Sequence, residues 1–398
     1  MEAYISITII LLISLIFAEI FRRFKIPIVM GYLVTGLLLS VISVFFPSLL
    51  LSSKEFIKVF SDLGIVFLIF LVGIETNIKA LKQNNKEEIL IAFFSAGTTF
   101  LLGFIVSYLL GFHLFEALAI GAMLSITSEG TKAMILLEYN KLKSKVGSIM
   151  IGASITDDVL EIIFLSIVVI MAHEGNIHSL IYFPIKLLLF VGLIWIMFII
   201  FVPLLKNRFK DIKKYRREEV LAIIIIMMFF MAGIASYLGL GPVIGAFFAG
   251  IILQKMLSSH SLKVHIIEYI KAITISLIIP FFFVHMGLNF KFSSVFLNKS
   301  DLIFFILILL VAIFGKIIGT LFVKPFTNKL TLRQLFLIGW GMNSRGAVEL
   351  VIAEIARRSN LISLTTYSVI ILVTLITTML FPIVFRYYIK KYPKILDE

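Results

Sequence analysis

The run from Val146 to Met171, VGSIMIGASITDDVLEIIFLSIVVIM, decides the fold. It can cross a bilayer as a single helix, since about 20 residues at 1.5 Å per residue span the hydrocarbon. Asp157 and Asp158 stand side by side at its midpoint. Carboxylates at that depth are costly in lipid, and they mark an ion or proton path rather than a structural detail.

The rest of the chain has the same character. Of its 398 residues, 60% are hydrophobic, and mean hydropathy is +1.10. Soluble domains are only about 45–50% apolar. The sequence is therefore predicted to be an all-α polytopic membrane protein with little left for a soluble domain. Apolar runs break at charged or Pro/Gly-rich stretches into about thirteen transmembrane helices. They are 3–21, 27–46, 56–74, 88–110, 114–138, 146–171, 179–205, 219–238, 242–257, 266–289, 301–323, 332–356 and 361–388. The N-terminal stretch lacks a basic n-region and a small-residue cleavage site, so it reads as a first span and not a signal peptide. With no cysteine, a disulfide framework and a thiolate metal site are excluded.

Charge orients the chain. Alternate loops carry clusters such as Arg22, Arg23 and Lys25, the run from Lys206 to Arg217, and the tail from Arg386. The opposite loops hold only Lys54, Lys58, Lys186, Lys291, Lys299, Arg357 and Arg358. By the positive-inside rule the N-terminus is outside and the C-terminus cytoplasmic, in the cell membrane. The net charge of +13 is scattered over these segments. It faces an anionic leaflet and forms no nucleic-acid patch.

Glycines recur at a fixed offset. Adding 214 to Gly31, Gly36 and Gly73 gives Gly245, Gly250 and Gly287, and PIVMGYLVTGLLLS from Pro27 resembles PVIGAFFAGIILQ from Pro242. The first copy begins with span 1 from outside and the second with span 8 from inside. They form two inverted repeats, an architecture of secondary transporters whose site lies near the midplane. Span 7 is then a linker helix. The same offset pairs two interrupted spans: Ser125-Ile-Thr-Ser-Glu-Gly-Thr-Lys132 and Gly341-Met-Asn-Ser-Arg-Gly346. These predict two broken crossing helices, whose freed backbone groups and half-helix ends face a cavity.

Five acids lie at depth: Glu129, Asp157, Asp158, Glu161 and Glu349. Three bases accompany them: Lys132, Lys316 and Arg345. An excess of buried negative charge is made up by protons or cations, which favours a cation site. Asp157 and Asp158 are about 100° apart around a helix, so one can pair with a fixed base while the other faces a cavity. Sodium is a hard cation that takes oxygen ligands. The candidates are a carboxylate, the hydroxyls of Thr127, Ser128 and Thr156, and freed carbonyls. Lys316 either snorkels to the interface or forms a buried ion pair. Arg345 with Glu349, and Glu129 with Lys132, are spaced to pair on one helix face. Glu161 is a second proton site or an interface contact.

At these residues the chain resembles the second family of monovalent cation:proton antiporters, and in particular its NapA-type sodium/proton members. The resemblance covers nearly the whole chain. It is carried by the Pro27–Gly36 entry, Ser125–Ser128, Gly152-Ala-Ser-Ile-Thr-Asp157-Asp158-Val, Gly315-Lys316 and Ser344-Arg345-Gly-Ala-Val-Glu349. It implies that Asp157 pairs with Lys316, that Asp158 carries the Na+, and that exchange is electrogenic. It also implies a homodimer in which a core moves against a dimerisation scaffold. The scaffold would be 1–80 and 215–292, the core 88–172 and 298–390, and the linker 179–205. No cofactor is implied, and the partners are H+, Na+ (or Li+ or K+) and the lipid bilayer. Two departures stand out. Arg345-Gly-Ala-Val-Glu349 replaces the usual Arg-Gly-Glu, and Glu129 and Lys132 add charge to a stretch that is usually less charged. Kef-type potassium members resemble the chain less, since they usually replace the first aspartate and carry a soluble nucleotide-binding domain.

Three other readings bear weighing. A K+/H+ antiporter shares the fold. An intramembrane aspartyl protease needs a dyad sharing one proton, and adjacent residues on one helix point apart. A cation channel keeps the pathway without the coupling that an inverted, alternating architecture provides.

Overall fold

The computed structural model describes residues 2–45, 54–76, 85–128, 130–174, 185, 188–189, 192, 217–256 and 260–396. Among these, every regular element is helical. Seven helices among the described residues are long and apolar enough to cross a membrane. Predicted span 179–205 and Glu129 lie outside the described residues, apart from positions 185, 188–189 and 192.

The chain divides into two compact units. The first takes its described residues from 1–12, 41–76 and 169–285, the second from 13–40, 77–168 and 286–398.

In the first unit, α1 (Lys54–Glu75), α2 (Arg217–Tyr237) and α3 (Pro242–Met256) pack through small residues, as helices must where lipid supplies no hydrophobic drive between them. A methyl group at Gly73 would sit 2.1 Å from Phe247 O, and one at Gly245 would sit 2.2 Å from Met231 O. Gln254 closes α1 by donating from Nε2 to the carbonyls of Gly73, Ile74 and Thr76 at 3.0, 2.6 and 2.8 Å. α4 (His260–Ile273) runs through a π-helical turn, Thr274–Ile278, into α5 (Ile279–Leu288). The Ile279 amide reaches back five residues to Thr274 O. That widened turn lies just before Pro280, which has no amide to donate. The helical run thus begins at His260, upstream of predicted span 266–289.

In the second unit, the part of α6 (Glu2–Arg23) from Ile13 meets the part of α7 (Ile28–Phe45) up to Ser40, where a methyl group at Gly31 would lie 2.7 Å from the Phe17 backbone. One at Gly287 would lie 2.6 Å from Leu33 O and from the Gly36 backbone. These contacts obey the glycine offset. Gly31 meets Phe17 and Ala18, and Gly245 meets Met231 and Ala232, each 214 positions on. Gly73 meets Phe247 and Gly250, whereas Gly287 meets Leu33 and Gly36, so the third helix of each copy docks on the second helix of the other.

The same unit holds α8 (Lys86–Leu109), α9 (Leu114–Ser125), α10 (Gly130–Glu138), α11 (Lys145–Glu174), α12 (Lys299–Leu321), α13 (Leu332–Gly341), α14 (Ala347–Arg358) and α15 (Leu364–Lys391). Predicted spans 5 and 12 are both interrupted: α9 and α10 are separated by 126–129, α13 and α14 by 342–346. α8 packs on α9 and α12, and α12 on α13 and α15. Val146, Met150, Ile338 and Phe381 belong to one buried apolar cluster.

Candidate functional site

The two interruptions meet. Ile126 and Gly346 are extended, with φ/ψ of −74°/143° and −149°/−166°. The Ser128 amide donates to Ser344 O at 2.7 Å, and the Ser344 hydroxyl donates back to Ser128 O. A methyl group at Gly346 would lie 2.7 Å from Ser128 Cβ, so the absence of a side chain there lets the segments touch. Backbone that leaves a helix at membrane depth needs such partners.

α11 and α12 bring the charged residues to this crossing. Asp157 and Lys316 are 1% and 0% exposed, and Lys316 Nζ lies 3.6 Å from Asp157 Oδ2. Lys316 therefore does not snorkel. Its ammonium also donates to the carbonyl of Ser125, the last residue of α9, where the helix dipole is negative. Thr127 is held at two points on α11: its hydroxyl donates to Asp157 Oδ2, and its amide to Glu161 Oε1 at 2.9 Å. Glu161 is thus a contact that fastens the unwound segment. Asp157 Oδ1 is buried without a hydrogen-bond partner among the described residues.

Asp158 and Thr156 are half-buried on α11, and Ser128 is half-buried in the crossing. Asp158 is the more accessible of the two adjacent carboxylates. On the other broken pair, Arg345 Nη1 lies 3.0 Å from Glu349 Oε1, both within 1% of full burial, and Arg345 Nη2 donates to Ala312 O at 3.3 Å. Glu349 occupies the first turn of α14, where a carboxylate is favoured by the helix dipole. Lys132 is fully buried, and its Nζ lies 3.8 Å from Sδ of Met342, the residue that caps α13. The pairing predicted for Lys132 involves Glu129, outside the described residues.

Two features escape sequence reading. The Ser125 carbonyl carries no residue-type signal. A second buried cluster lies at the far end of α14: Glu354 accepts from Tyr367 Oη at 2.7 Å, Arg357 Nη2 at 2.8 Å and Arg358 Nε at 2.6 Å. Its signal was the i, i+3 and i, i+4 spacing of an acid before two arginines.

Crossed broken helices with a buried carboxylate–lysine pair against the crossing define a secondary transporter of small cations. The comparisons make this particular. The family described as sodium/hydrogen exchanger, transmembrane, matches residues 7–391, and the chain belongs to that family. It is 32% identical to a Na(+)/H(+) antiporter of Enterococcus hirae, over 98% of this chain and 99% of that one. It is 26% identical to the Na(+)/H(+)-K(+) antiporter GerN of Bacillus cereus, over 97% and 96%. Among solved structures it superposes on the sodium proton antiporter MjNhaP1 of Methanocaldococcus jannaschii with a TM-score of 0.67 at 19% identity, covering 100% of both chains. That likeness speaks for the fold.

Proposed function

We propose that this protein exchanges Na+ or Li+ for H+ across the cytoplasmic membrane by alternating access, and that it does so electrogenically. The observation that carries the reading is the pairing of buried Asp157 with Lys316 at 3.6 Å beside half-buried Asp158. A cation entering at this point meets one carboxylate paired with a lysine, Asp157, and beside it the more exposed Asp158, which we assign to alternate between a proton and a metal ion. Thr156, Ser128 and the freed carbonyls of 126–127 supply oxygens of the kind Na+ prefers. Thr127 ties that segment to Asp157.

The scaffold is 1–80 with 215–292, the core 88–172 with 298–390, and the linker 179–205. Support for the core comes from the second compact unit, which contains both broken helix pairs and Lys316 and also takes in 13–40 of the scaffold. Its N-terminus lies outside and its C-terminus in the cytoplasm, a reading supported by the charge asymmetry of its loops, and the family resemblance implies a homodimer.

A K+/H+ antiporter is the second reading, because GerN, named for both Na+ and K+, covers the same residues. Proton flux from proteoliposomes challenged separately with Na+, Li+ and K+ tests both. Exchange with Na+ and Li+ but not K+ supports the first, exchange with K+ alone the second, and no cation-dependent flux sinks both.

A further inference from the structure

A cavity of about 500 Å³ opens where the end of α15 returns over the start of α13. Gln334, near the start of α13, holds the returning turn Pro393–Leu396 by donating from Nε2 to Ile395 O at 3.2 Å. Leu321, Leu332, Phe336, Tyr388 and Tyr392 line the cavity together with a charged side chain, Arg333. Arg333 and Leu332 are exposed, and Arg333 makes no ion pair among the described residues. Lys391 lies 5.5 Å from the centre of the Tyr392 ring and donates to Tyr387 Oη at 3.2 Å.

An apolar hollow with an exposed guanidinium suits a molecule divided in the same way, with an apolar chain and an anionic head. A soluble anion would leave the apolar lining unfilled, and a neutral lipid would leave Arg333 unanswered. The place on the chain agrees. Tyr387, Tyr388 and Tyr392 alternate with Lys390 and Lys391 at the end of an apolar helix, the composition of a membrane–water interface. Basic side chains there attract acidic lipids, and a guanidinium binds phosphate through paired hydrogen bonds.

The geometry points to a binding site for one anionic phospholipid, its phosphate on Arg333 and an acyl chain against Leu321, Leu332 and Phe336. The site is separate from the Asp157–Lys316 crossing. Its assignment to the cytoplasmic leaflet rests on the orientation proposed above, whereas the binding itself requires no transport.

The test is thermal melting of the purified protein in detergent with dioleoylphosphatidylglycerol, dioleoylphosphatidylcholine or glycerol 3-phosphate. Phosphatidylglycerol is expected to raise Tm by about 3 °C or more through ligand linkage, and the other two by much less. Arg333→Gln should remove most of that rise, whereas Arg22→Gln, at another exposed basic residue, should leave it. If Arg333→Gln melts lower without lipid, the difference between the two lipids within that variant remains the readout. Equal rises with both lipids, a full rise with glycerol 3-phosphate, or an undiminished rise in Arg333→Gln would overturn the site. A protein that shows the phosphatidylglycerol rise but exchanges no cation would overturn the transport reading alone.

Discussion

Asp157 is held by three neighbours: the Lys316 ammonium, the Thr127 hydroxyl and, through Thr127, Glu161. Asp158, one residue on, is the more exposed of the two, which fits it to exchange its occupant. Asp158→Asn is expected to abolish cation-dependent proton flux in proteoliposomes while leaving insertion and melting unchanged; substantial flux from that variant would remove Asp158 from its role. The pair makes a thermodynamic prediction. Lys316→Ala leaves Asp157 charged and buried without its cation, at a cost of about 3–5 kcal/mol. Adding Asp157→Asn should recover part of that loss, so a double-mutant cycle on melting in detergent should give a coupling well above zero. Simple additivity would mean that the two do not interact. Glu161 is a positioning residue by the same geometry. Glu161→Gln keeps an oxygen to accept from the Thr127 amide and should retain more exchange than Glu161→Ala; equal losses would point to its charge instead. These residues were legible because a charge inside an apolar run stands out in any sequence. Their partners were not: the Ser125 and Ser344 carbonyls belong to the backbone, which every residue shares.

At the scale of elements, interruption was legible and the manner of crossing was not. Polar and glycine residues in 125–132 and 341–346 announce that a helix cannot continue, but only the fold shows Ser128 and Ser344 bonded to each other. The glycine offset was legible for the same reason that it matters. A helix crossing that brings backbones together tolerates no side chain, and the two copies therefore retain Gly31 with Gly245 and Gly73 with Gly287. The π turn at Thr274–Ile278 could not be placed from sequence, because Pro280 is compatible with a helix end as well as with a bulge inside one. Gly346 supplies the element-scale prediction. A side chain there meets Ser128 Cβ at 2.7 Å and forces the crossing segments apart. Gly346→Val should cost about 1–3 kcal/mol, as overpacking does, and should lower exchange more than the melting loss explains. Unchanged melting and flux would show that the contact between segments is dispensable.

For the whole molecule, composition alone placed the chain in a membrane, since 60% hydrophobic residues leave too few polar side chains to cover a water-facing surface. Direction of transport and coupling are less visible, because they depend on how many charges move in one cycle. The second compact unit motivates a prediction about coupling. It holds Asp157, Asp158 and Glu161 on one helix with Lys316 facing Asp157, so protonatable groups outnumber the places for one cation. If two protons move against one sodium ion, each cycle carries one net charge through the membrane. One charge moving through 100 mV is worth about 2.3 kcal/mol, and tenfold in a gradient is about 1.4 kcal/mol. Clamping proteoliposomes at −100 mV rather than 0 mV should therefore displace the final sodium gradient by roughly 50-fold at a fixed pH difference. One-for-one exchange moves no net charge, and its end point ignores the potential. The quantity to measure is the sodium gradient at which flux ceases, at several clamped potentials. A slope of zero would assign one proton to each sodium ion, leaving Asp157 a permanent partner of Lys316 throughout the cycle.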